Sequence, residues 1–297
     1  MTLERIAELK RSRQAIILAH NYQPPEIQDV ADFVGDSFEL SQKAAGTDAR
    51  VIIFCGVRFM AETALILSPD KKVIIPDNEA GCPMADMITA QELRKKKREF
   101  PAAAVVCYVN SSAKVKAESD ICCTSANAAK VVESLEARGV IFVPDQYLGQ
   151  YVSTQVKKDL HLWKGFCPVH LSISVDDIAQ KRAEYPGAKV VVHPECRPDV
   201  ISLADQVLST GGMCRYAKEQ DFDRLIVGTE VGILHRLRKE NPDKEFIPAS
   251  PKAICPDMKK ITLEKVLFSL ETLSPEVKVP LKTRLKARRA LERMLEI

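Results

Sequence analysis

The sequence lacks the features that mark several common classes of protein. Its net charge is only +3, from 43 basic and 40 acidic residues among 297, so a general nucleic-acid-binding surface is not indicated. No uncharged stretch reaches the roughly 20 residues that a membrane-spanning helix needs. The N-terminus is charged from Glu4 and has no apolar segment of the secretory type. These absences predict a cytoplasmic protein with no nucleic-acid or membrane partner.

The glycine-rich and cysteine-pair motifs of many enzymes are also missing. There is no G-x-G-x-x-G, no Walker loop and no G-x-S-x-G, so dinucleotide binding and nucleotide hydrolysis lack support. Nine cysteines are present, but none form a C-x-x-C run. In a reducing compartment, and with an odd count, they are expected to be thiols or metal ligands rather than disulfides.

Three of the cysteines are followed by proline, at Cys82-Pro83, Cys167-Pro168 and Cys255-Pro256. The separations are 85 and 88 residues, which is far more regular than scattered cysteines would give. This period exceeds the roughly 20 to 50 residues of stacking repeats. The spacing therefore predicts a small domain copied three times.

Other features recur at the same interval. Apolar runs typical of buried strands lead to a polar residue in each copy: 15–19 to His20, 105–107 to Tyr108, and 190–192 to His193. A hydroxyl residue follows 17 positions later, with an acidic residue five positions before it: Asp32 and Ser37, Asp120 and Ser125, Asp205 and Thr210. Further strand-like runs lie at 51–54, 73–75, 140–143, 160–163, 225–227 and 246–247. Each copy is predicted to hold four strands alternating with helices.

This alternation predicts an α/β fold of three homologous α/β/α domains, each with a small four-stranded parallel sheet. The expected units are residues 1–87 with an N-terminal helix, residues 88–172 and residues 173–260. Residues 261–297 are expected to form a helical tail on the core, with a solvated basic face on its last helix. A pseudo-threefold arrangement would bring the carboxyl ends of the strands, where such sheets bind ligands, to one cavity.

Three thiols that converge on one cavity suit a soft metal centre, either zinc with an open fourth position or an iron–sulfur cluster. A cuboidal cluster is wide enough to be held from three domains at once, whereas the alternative is that Cys82, Cys167 and Cys255 are ordinary core residues. The remaining cysteines have no threefold counterparts and are interpreted as small core side chains: Cys55, Cys107, Cys122, Cys123, Cys196 and Cys214.

The polar residues at the strand ends are predicted to face the same cavity as substrate ligands. They form two equivalent sets, His20, Tyr108 and His193, and two residues further on Tyr22, Asn110 and Glu195. Glu195 is the one acidic member and the natural general base or acid, while Tyr22 would donate or relay a proton. The hydroxyls of Ser37, Ser125 and Thr210 either bind a carboxylate or phosphate at a helix start or act as plain helix caps.

Three histidines outside these sets receive different interpretations. His170 follows Cys167 by three residues and has no counterpart in the other copies. It is either a contact near the site or a packing residue. His161 and His235 are interpreted as surface or packing residues.

At this point the chain resembles the quinolinate synthase (NadA) family over nearly its whole length. The matching stretches are, in order, residues 17–23, 35–37, 59–62, 108–111, 124–127, 167–170, 193–196, 209–212, 228–230 and 258–260. The resemblance implies three domains around one four-iron four-sulfur cluster, held by Cys82, Cys167 and Cys255 with one open iron. It also implies condensation of iminoaspartate with dihydroxyacetone phosphate to quinolinate, and functional coupling to an enzyme that produces iminoaspartate.

Residue roles carried over from the family fall, apart from Val109 and Pro194, on the positions that the repeat had selected. The substrate ligands would be His20, Ser37, Tyr108, Val109, Asn110, Ser125, His193, Pro194, Glu195 and Thr210. Proton transfer would belong to Glu195, Tyr22 and His193, and the open iron would act as a Lewis acid.

The chain departs from the family pattern at a few positions. Phe166 stands where the pattern has histidine, and Pro256-Asp257 replaces an Asn-containing pair. The C-x-x-C-x-x-C run of some longer relatives is absent. Two alternatives remain open: another cluster-dependent hydro-lyase that acts on a small polycarboxylate, and a metal-binding or iron-sensing module. A hydro-lyase needs one substrate, and in a sensing module the polar sets would be replaceable without consequence.

Overall fold

A computed structural model describes residues 2–297 and arranges them as three α/β units of the same topology. The first unit comprises α1 (Thr2–Ser12), β1 (Ala15–His20), α2 (Pro25–Val30), β2 (Phe33–Gly35), α3 (Ser37–Gly46), β3 (Val51–Cys55), α4 (Arg58–Leu67), β4 (Lys72–Ile74) and the 3-10 turn Ala85–Met87. The second comprises α5 (Ala90–Glu99), β5 (Ala104–Tyr108), α6 (Ala113–Lys116), β6 (Ile121–Cys123), α7 (Ala128–Glu133), β7 (Gly139–Val143), α8 (Gln146–Ser153), β8 (Asp159–Leu162) and α9 (Pro168–Leu171). The third comprises α10 (Val175–Glu184), β9 (Lys189–Val192), α11 (Pro198–Ile201), β10 (Gln206–Val207), α12 (Thr210–Glu219), β11 (Arg224–Gly228), α13 (Ile233–Glu240), β12 (Glu245–Pro248) and the 3-10 turn Met258–Lys260. The tail comprises α14 (Leu263–Thr272) and α15 (Leu281–Leu295).

The three sheets have identical strand orders: β2-β1-β3-β4, β6-β5-β7-β8 and β10-β9-β11-β12. All neighbouring strands are parallel. Their central strands are rich in Val and Ile and are buried on both faces because helices cover each sheet from two sides. The predicted α/β class with three similar units of four parallel strands is therefore confirmed.

The acidic residue that recurs in each unit ties the first strand to the second. Oδ2 of Asp32 accepts a hydrogen bond from the backbone N–H of Ile17 at 2.8 Å. The equivalent bonds are Val105 N to Asp120 at 2.7 Å and Val190 N to Asp205 at 2.8 Å. The repeated aspartate is thus a structural bond within each sheet.

Each Cys-Pro pair begins a short helical turn, in which the proline takes a position where no N–H is needed. Cys167 is the N-cap of α9, with Pro168 as its first residue. In each unit the backbone N–H three residues after the cysteine, in Ala85, His170 and Met258, lies near enough to the sulfur to lower its pKa. The Cys-Pro pair therefore places each thiol at the N-terminal end of a short helical turn.

The tail joins two units. Helix α14 packs on α1 and β3, and α15 packs on α4, α6 and β6. The inner face of α15 buries Ala287, Ala290, Leu291 and Met294, while Lys282 and Lys286 are exposed. Within residues 2–297, no helix is both long and apolar enough to cross a membrane.

Candidate active site

The carboxyl ends of the three sheets face one cavity, whose empty volume is about 670 Å³. Most of the residues predicted from the sequence line it: His20, Tyr22, Ser37, Cys82, Tyr108, Asn110, Ser125, Cys167, His170, His193, Glu195, Thr210 and Cys255. Val109 and Pro194, which the resemblance had included, lie outside this lining, and the Val109 N–H bonds to the Cys123 carbonyl.

The three Cys-Pro thiols differ from the other cysteines. Cys82, Cys167 and Cys255 are partly exposed to the cavity, whereas the remaining six are buried as predicted. Burial raises the pKa of Cys82 to about 12 and raises the pKa of Cys167 and of Cys255. Thiolates would therefore form here only with a cation, and metal loading would release protons.

The three Cys-Pro thiols are ligands of the type that an iron–sulfur cofactor takes. Three thiols from three units line one cavity, and a backbone N–H near each sulfur opposes the effect of burial on its pKa, which favours the thiolate that an iron–sulfur cluster requires. Among residues 2–297, Cys167, one of the three cysteines expected to hold the cluster, also lies in a compact group of possible metal ligands with His170 and Glu195. The chain's cysteines thus fit an iron–sulfur enzyme.

The two histidines of the threefold set are held in one tautomer. Nδ1 of His20 accepts the Tyr22 N–H at 3.2 Å, and Nδ1 of His193 accepts the Glu195 N–H at 3.3 Å. The proton of each neutral ring is therefore on Nε2. Burial lowers the pKa of both to about 3, so they are neutral at pH 7. Nε2 of His193 lies 3.2 Å from Ser125 Oγ, and both rings act as neutral hydrogen-bond donors.

Glu195 is almost fully buried, yet it has partners on both oxygens. The Tyr108 hydroxyl donates to Oε1, and Nδ1 of His170 lies 2.7 Å from Oε2. Burial raises the pKa of Glu195, but the nearby His170 ring and the hydrogen bonds from His170 and Tyr108 lower it below its ordinary value overall. The group is therefore a carboxylate at neutral pH, which suits a base better than an acid.

A chain of polar groups connects Tyr22 to this carboxylate. The Tyr22 hydroxyl is 2.5 Å from Thr229 Oγ1, which is 2.8 Å from Nε2 of His170. Burial raises the pKa of Tyr22, so it stays a phenol. The ring of His170 lies at the cavity, between Thr229 and Glu195. Sequence reasoning gave Thr229 no role, although it lies in one of the stretches shared with the family.

The hydroxyl residues at two helix starts are not the helix caps. Asp36 caps α3 through a capping box with Glu39, and Ser209 caps α12. Ser37 and Thr210 are the first helical residues, so their hydroxyls are not used for capping. Ser125 lies in the turn before α7. The pattern Asp-x-x-Glu at 36–39 was a visible capping signal in the sequence.

Buried groups of two units hold Thr210. The Asn21 side chain, fully buried, donates from Nδ2 to Thr210 Oγ1 at 3.0 Å. Its Oδ1 accepts from Arg236 at 3.0 Å, and Arg236 also donates to the Val34 carbonyl. Neither residue was selected from the sequence, because the contact joins loops far apart in the chain.

A buried ion pair holds the loop of Cys255. Glu230 is fully buried and accepts from Cys255 N at 3.1 Å and from Lys259 Nζ at 2.8 Å. Lys259 also donates to the Tyr22 carbonyl. The pair therefore fixes the third thiol relative to Tyr22.

The outlying histidines have the packing roles predicted for them. His161 stacks on Phe100, with ring centroids 3.7 Å apart. His235 pairs with Asp29 at 3.0 Å.

Comparison with known proteins gives consistent matches. The family described as quinolinate synthetase A protein (NadA) matches residues 4–296. A quinolinate synthase from Dehalococcoides mccartyi (strain CBDB1) is 61% identical over 293 residues, covering 99% of this chain and 97% of the relative. Quinolinate synthases from Geobacter metallireducens and Methanoregula boonei are 54% and 55% identical over 294 residues, with the same coverage of 99% and 97%.

Proposed function

Because the chain belongs to the quinolinate synthetase A family, we propose that it condenses iminoaspartate with dihydroxyacetone phosphate to quinolinate, releasing phosphate and water. The observation that carries the proposal is the single cavity lined by three thiols and by equivalent polar side chains from all three units. Both substrates are anionic, and the cavity offers neutral donors and helix starts rather than free cationic side chains. Affinity for them would come from directed hydrogen bonds.

Substrate binding is assigned to polar groups that line the cavity. The N-terminal ends of α3 and α12 carry the Ser37 and Thr210 hydroxyls toward the cavity. Helix starts of this kind favour phosphate and carboxylate. The Nε2–H groups of His20 and His193, with Asn110, add donors for carboxylate or carbonyl oxygens.

The cofactor would be held by Cys82, Cys167 and Cys255. A four-iron four-sulfur cluster with three cysteine ligands would supply a Lewis acid at its fourth iron, able to polarise a hydroxyl or carbonyl oxygen. Glu230 and Lys259 fix the Cys255 loop for this purpose.

Proton transfer is assigned to Glu195 and its neighbours. The Glu195 carboxylate accepts a proton from the substrate carbon or nitrogen, and Tyr108 and His170 stabilise its charge. Tyr22, Thr229 and His170 form a route by which a proton reaches a leaving oxygen. His193 is neutral and donates a hydrogen bond, which polarises a substrate oxygen instead of abstracting a proton.

Anaerobic purification followed by product analysis tests the proposal. We expect about four irons and four sulfides per chain, as the proposed cluster requires, and quinolinate only when both substrates are supplied. Cys82→Ser, Cys167→Ser and Cys255→Ser should each lose the cluster, whereas Cys122→Ser, at a buried core position, should keep it. One zinc and no sulfide, or turnover of a single polycarboxylate, would contradict the proposal.

The proposed substrate also bears on location and partners. An imine hydrolyses in water, so iminoaspartate is best used close to the enzyme that produces it. Functional coupling to such an enzyme, in a reducing cytoplasm that keeps the cluster thiols reduced, is part of the proposal.

A further inference from the structure

One contact in the cavity can hold either a proton or a cation. Nδ1 of His170 lies 2.7 Å from Oε2 of Glu195, and both residues are at most 3% exposed. Nε2 of the same ring lies 2.8 Å from Thr229 Oγ1, so a ring proton on Nε2 would donate to that hydroxyl. Two lone-pair atoms then face each other at Nδ1 and Oε2 unless a proton or a metal ion lies between them.

A third ligand atom lies beside this contact. Sγ of Cys167, a ring nitrogen of His170 and a carboxylate oxygen of Glu195 all lie within 4.8 Å of one another, and Nδ1 is the ring nitrogen that faces Glu195. Around a tetrahedral zinc ion, sulfur, nitrogen and oxygen ligands are about 3.4–3.6 Å apart. Side-chain shifts of about 1 Å or less would therefore close the three atoms around one ion.

We propose that, when the cluster is absent, Cys167, His170 and Glu195 bind a single zinc ion. The set of one thiolate, one imidazole and one carboxylate is of the type that zinc takes, and the cavity leaves a fourth position for water. Thr229 completes the site, because ligating histidines as a rule donate their second ring N–H to a neighbouring oxygen. Binding replaces the thiol proton of Cys167, which is released to solvent.

This zinc set differs from the thiol set proposed for the cluster, because the two share only Cys167. Cys82 and Cys255 belong to other units and have no place in it. Zinc and the cluster would therefore exclude one another. The zinc site rests on its own geometry, and only this competition rests on the proposed function.

Zinc titration of the cluster-free chain tests the site, with a chromophoric chelator as the competing ligand and circular dichroism as the check on folding. Wild type, Cys82→Ala and Cys255→Ala should each bind one zinc with affinities within a few-fold of one another. His170→Ala, Glu195→Gln and Cys167→Ala should each bind at least about tenfold more weakly. With cobalt in place of zinc, the thiolate charge-transfer band should disappear in Cys167→Ala and persist in Cys82→Ala.

Thr229 provides a milder variant that keeps every ligand. Thr229→Val should weaken zinc by about tenfold, and Thr229→Ser should restore it. A requirement for Cys82 or Cys255, the absence of stoichiometric zinc, or unchanged affinity in a folded His170→Ala would each overturn the site.

Iron reconstitution separates this inference from the proposed function. Zinc added first should lower iron uptake by wild type but not by His170→Ala, whose three cysteines are intact. Equal inhibition of iron uptake in wild type and in His170→Ala would contradict the proposal that zinc bound by Cys167, His170 and Glu195 excludes the cluster. If wild type takes up no iron even without zinc, the cluster proposal fails while the zinc titration still decides the zinc site.

Discussion

Glu195 is held as a carboxylate by its neighbours, and Glu195→Gln keeps its shape while removing its charge and basicity. We expect kcat to fall by about 10²–10⁴, because general base catalysis is lost. Iron content and substrate binding should stay near the wild-type values, since no cluster cysteine is changed. The measurements are anaerobic turnover, iron analysis and substrate titration, with Glu264→Gln on the first turn of α14 as the control. Near-normal turnover would remove Glu195 from the proton-transfer role.

His20 should make folding stability depend on pH. Burial lowers its pKa from 6.5 to about 3, so the unfolded chain binds more protons between these values. Its contribution is complete above pH 6.5 and is lost as the pH falls toward 3, at about 1.4 kcal/mol for each pH unit. In His20→Asn, the amide oxygen replaces Nδ1 as acceptor of the Tyr22 N–H.

The His20→Asn variant should therefore lose stability less steeply than wild type between pH 6 and pH 4. Urea unfolding at a series of pH values measures the slope. His235→Asn, which removes a histidine outside the cavity, is the control. A slope for His20→Asn equal to that of wild type would show that the His20 ring does not titrate in this range.

Helix α15 offers a matched pair of leucines on opposite faces. Leu291 is fully buried against the first two units, whereas Leu285 is 56% exposed. Leu291→Ala should lower the free energy of unfolding by about 2–5 kcal/mol, as expected for a cavity in a core. Leu285→Ala should change it by less than about 0.5 kcal/mol. Equal effects in urea unfolding would mean that α15 does not pack as described.

At the level of elements, the sequence predicted the strands that are continuous apolar runs. Strands β1, β3, β5 and β7 begin and end within two residues of the predicted runs. The second strand along the chain in each unit was not located, because β2, β6 and β10 have only two or three residues, too few to be recognised as strand-like runs. The recurring aspartate ties each of them to the neighbouring strand through a hydrogen bond, and this bond cannot be read from the sequence.

The site was predictable where it follows the repeat. His20, Tyr108 and His193 could be aligned by counting, and all three line the cavity. The contacts between units could not be derived in this way. Whether Thr229 meets Tyr22, or Asn21 meets Thr210, depends on how the units are rotated against each other.

At the scale of the whole molecule, substitutions at Gly211 and Gly212 test how closely the first and third units pack against each other. A Cβ on Gly211 would lie 2.6 Å from Oδ2 of Asp36, which accepts bonds from Ser209 and from Gly211 itself. A Cβ on Gly212 meets only Leu208, at 3.3 Å, and its own cap at 3.4 Å. Gly211→Ala should therefore push the two units apart at the cavity.

We expect Gly211→Ala to cost about 1–3 kcal/mol of stability and to raise KM, because the starts of α3 and α12 are displaced. Gly212→Ala should be neutral or should stabilise the chain by up to about 1 kcal/mol, since alanine favours a helix. Thermal unfolding and steady-state kinetics separate the two variants. Tolerance of Gly211→Ala in both measurements would show that the units are less closely packed at this point.

The distribution of the three Cys-Pro turns has a consequence for biosynthesis. Each sheet has its own buried strands, so the units can fold one after another as the chain leaves the ribosome. The third thiol, however, is at Cys255, late in the chain and in the last unit to be made. The cavity is therefore complete only after the fold is nearly finished, and the cluster proposed above would have to be delivered to folded protein. Iron starvation should accordingly leave a pool of folded apoprotein that is ready for repair, not a pool of unfolded chains.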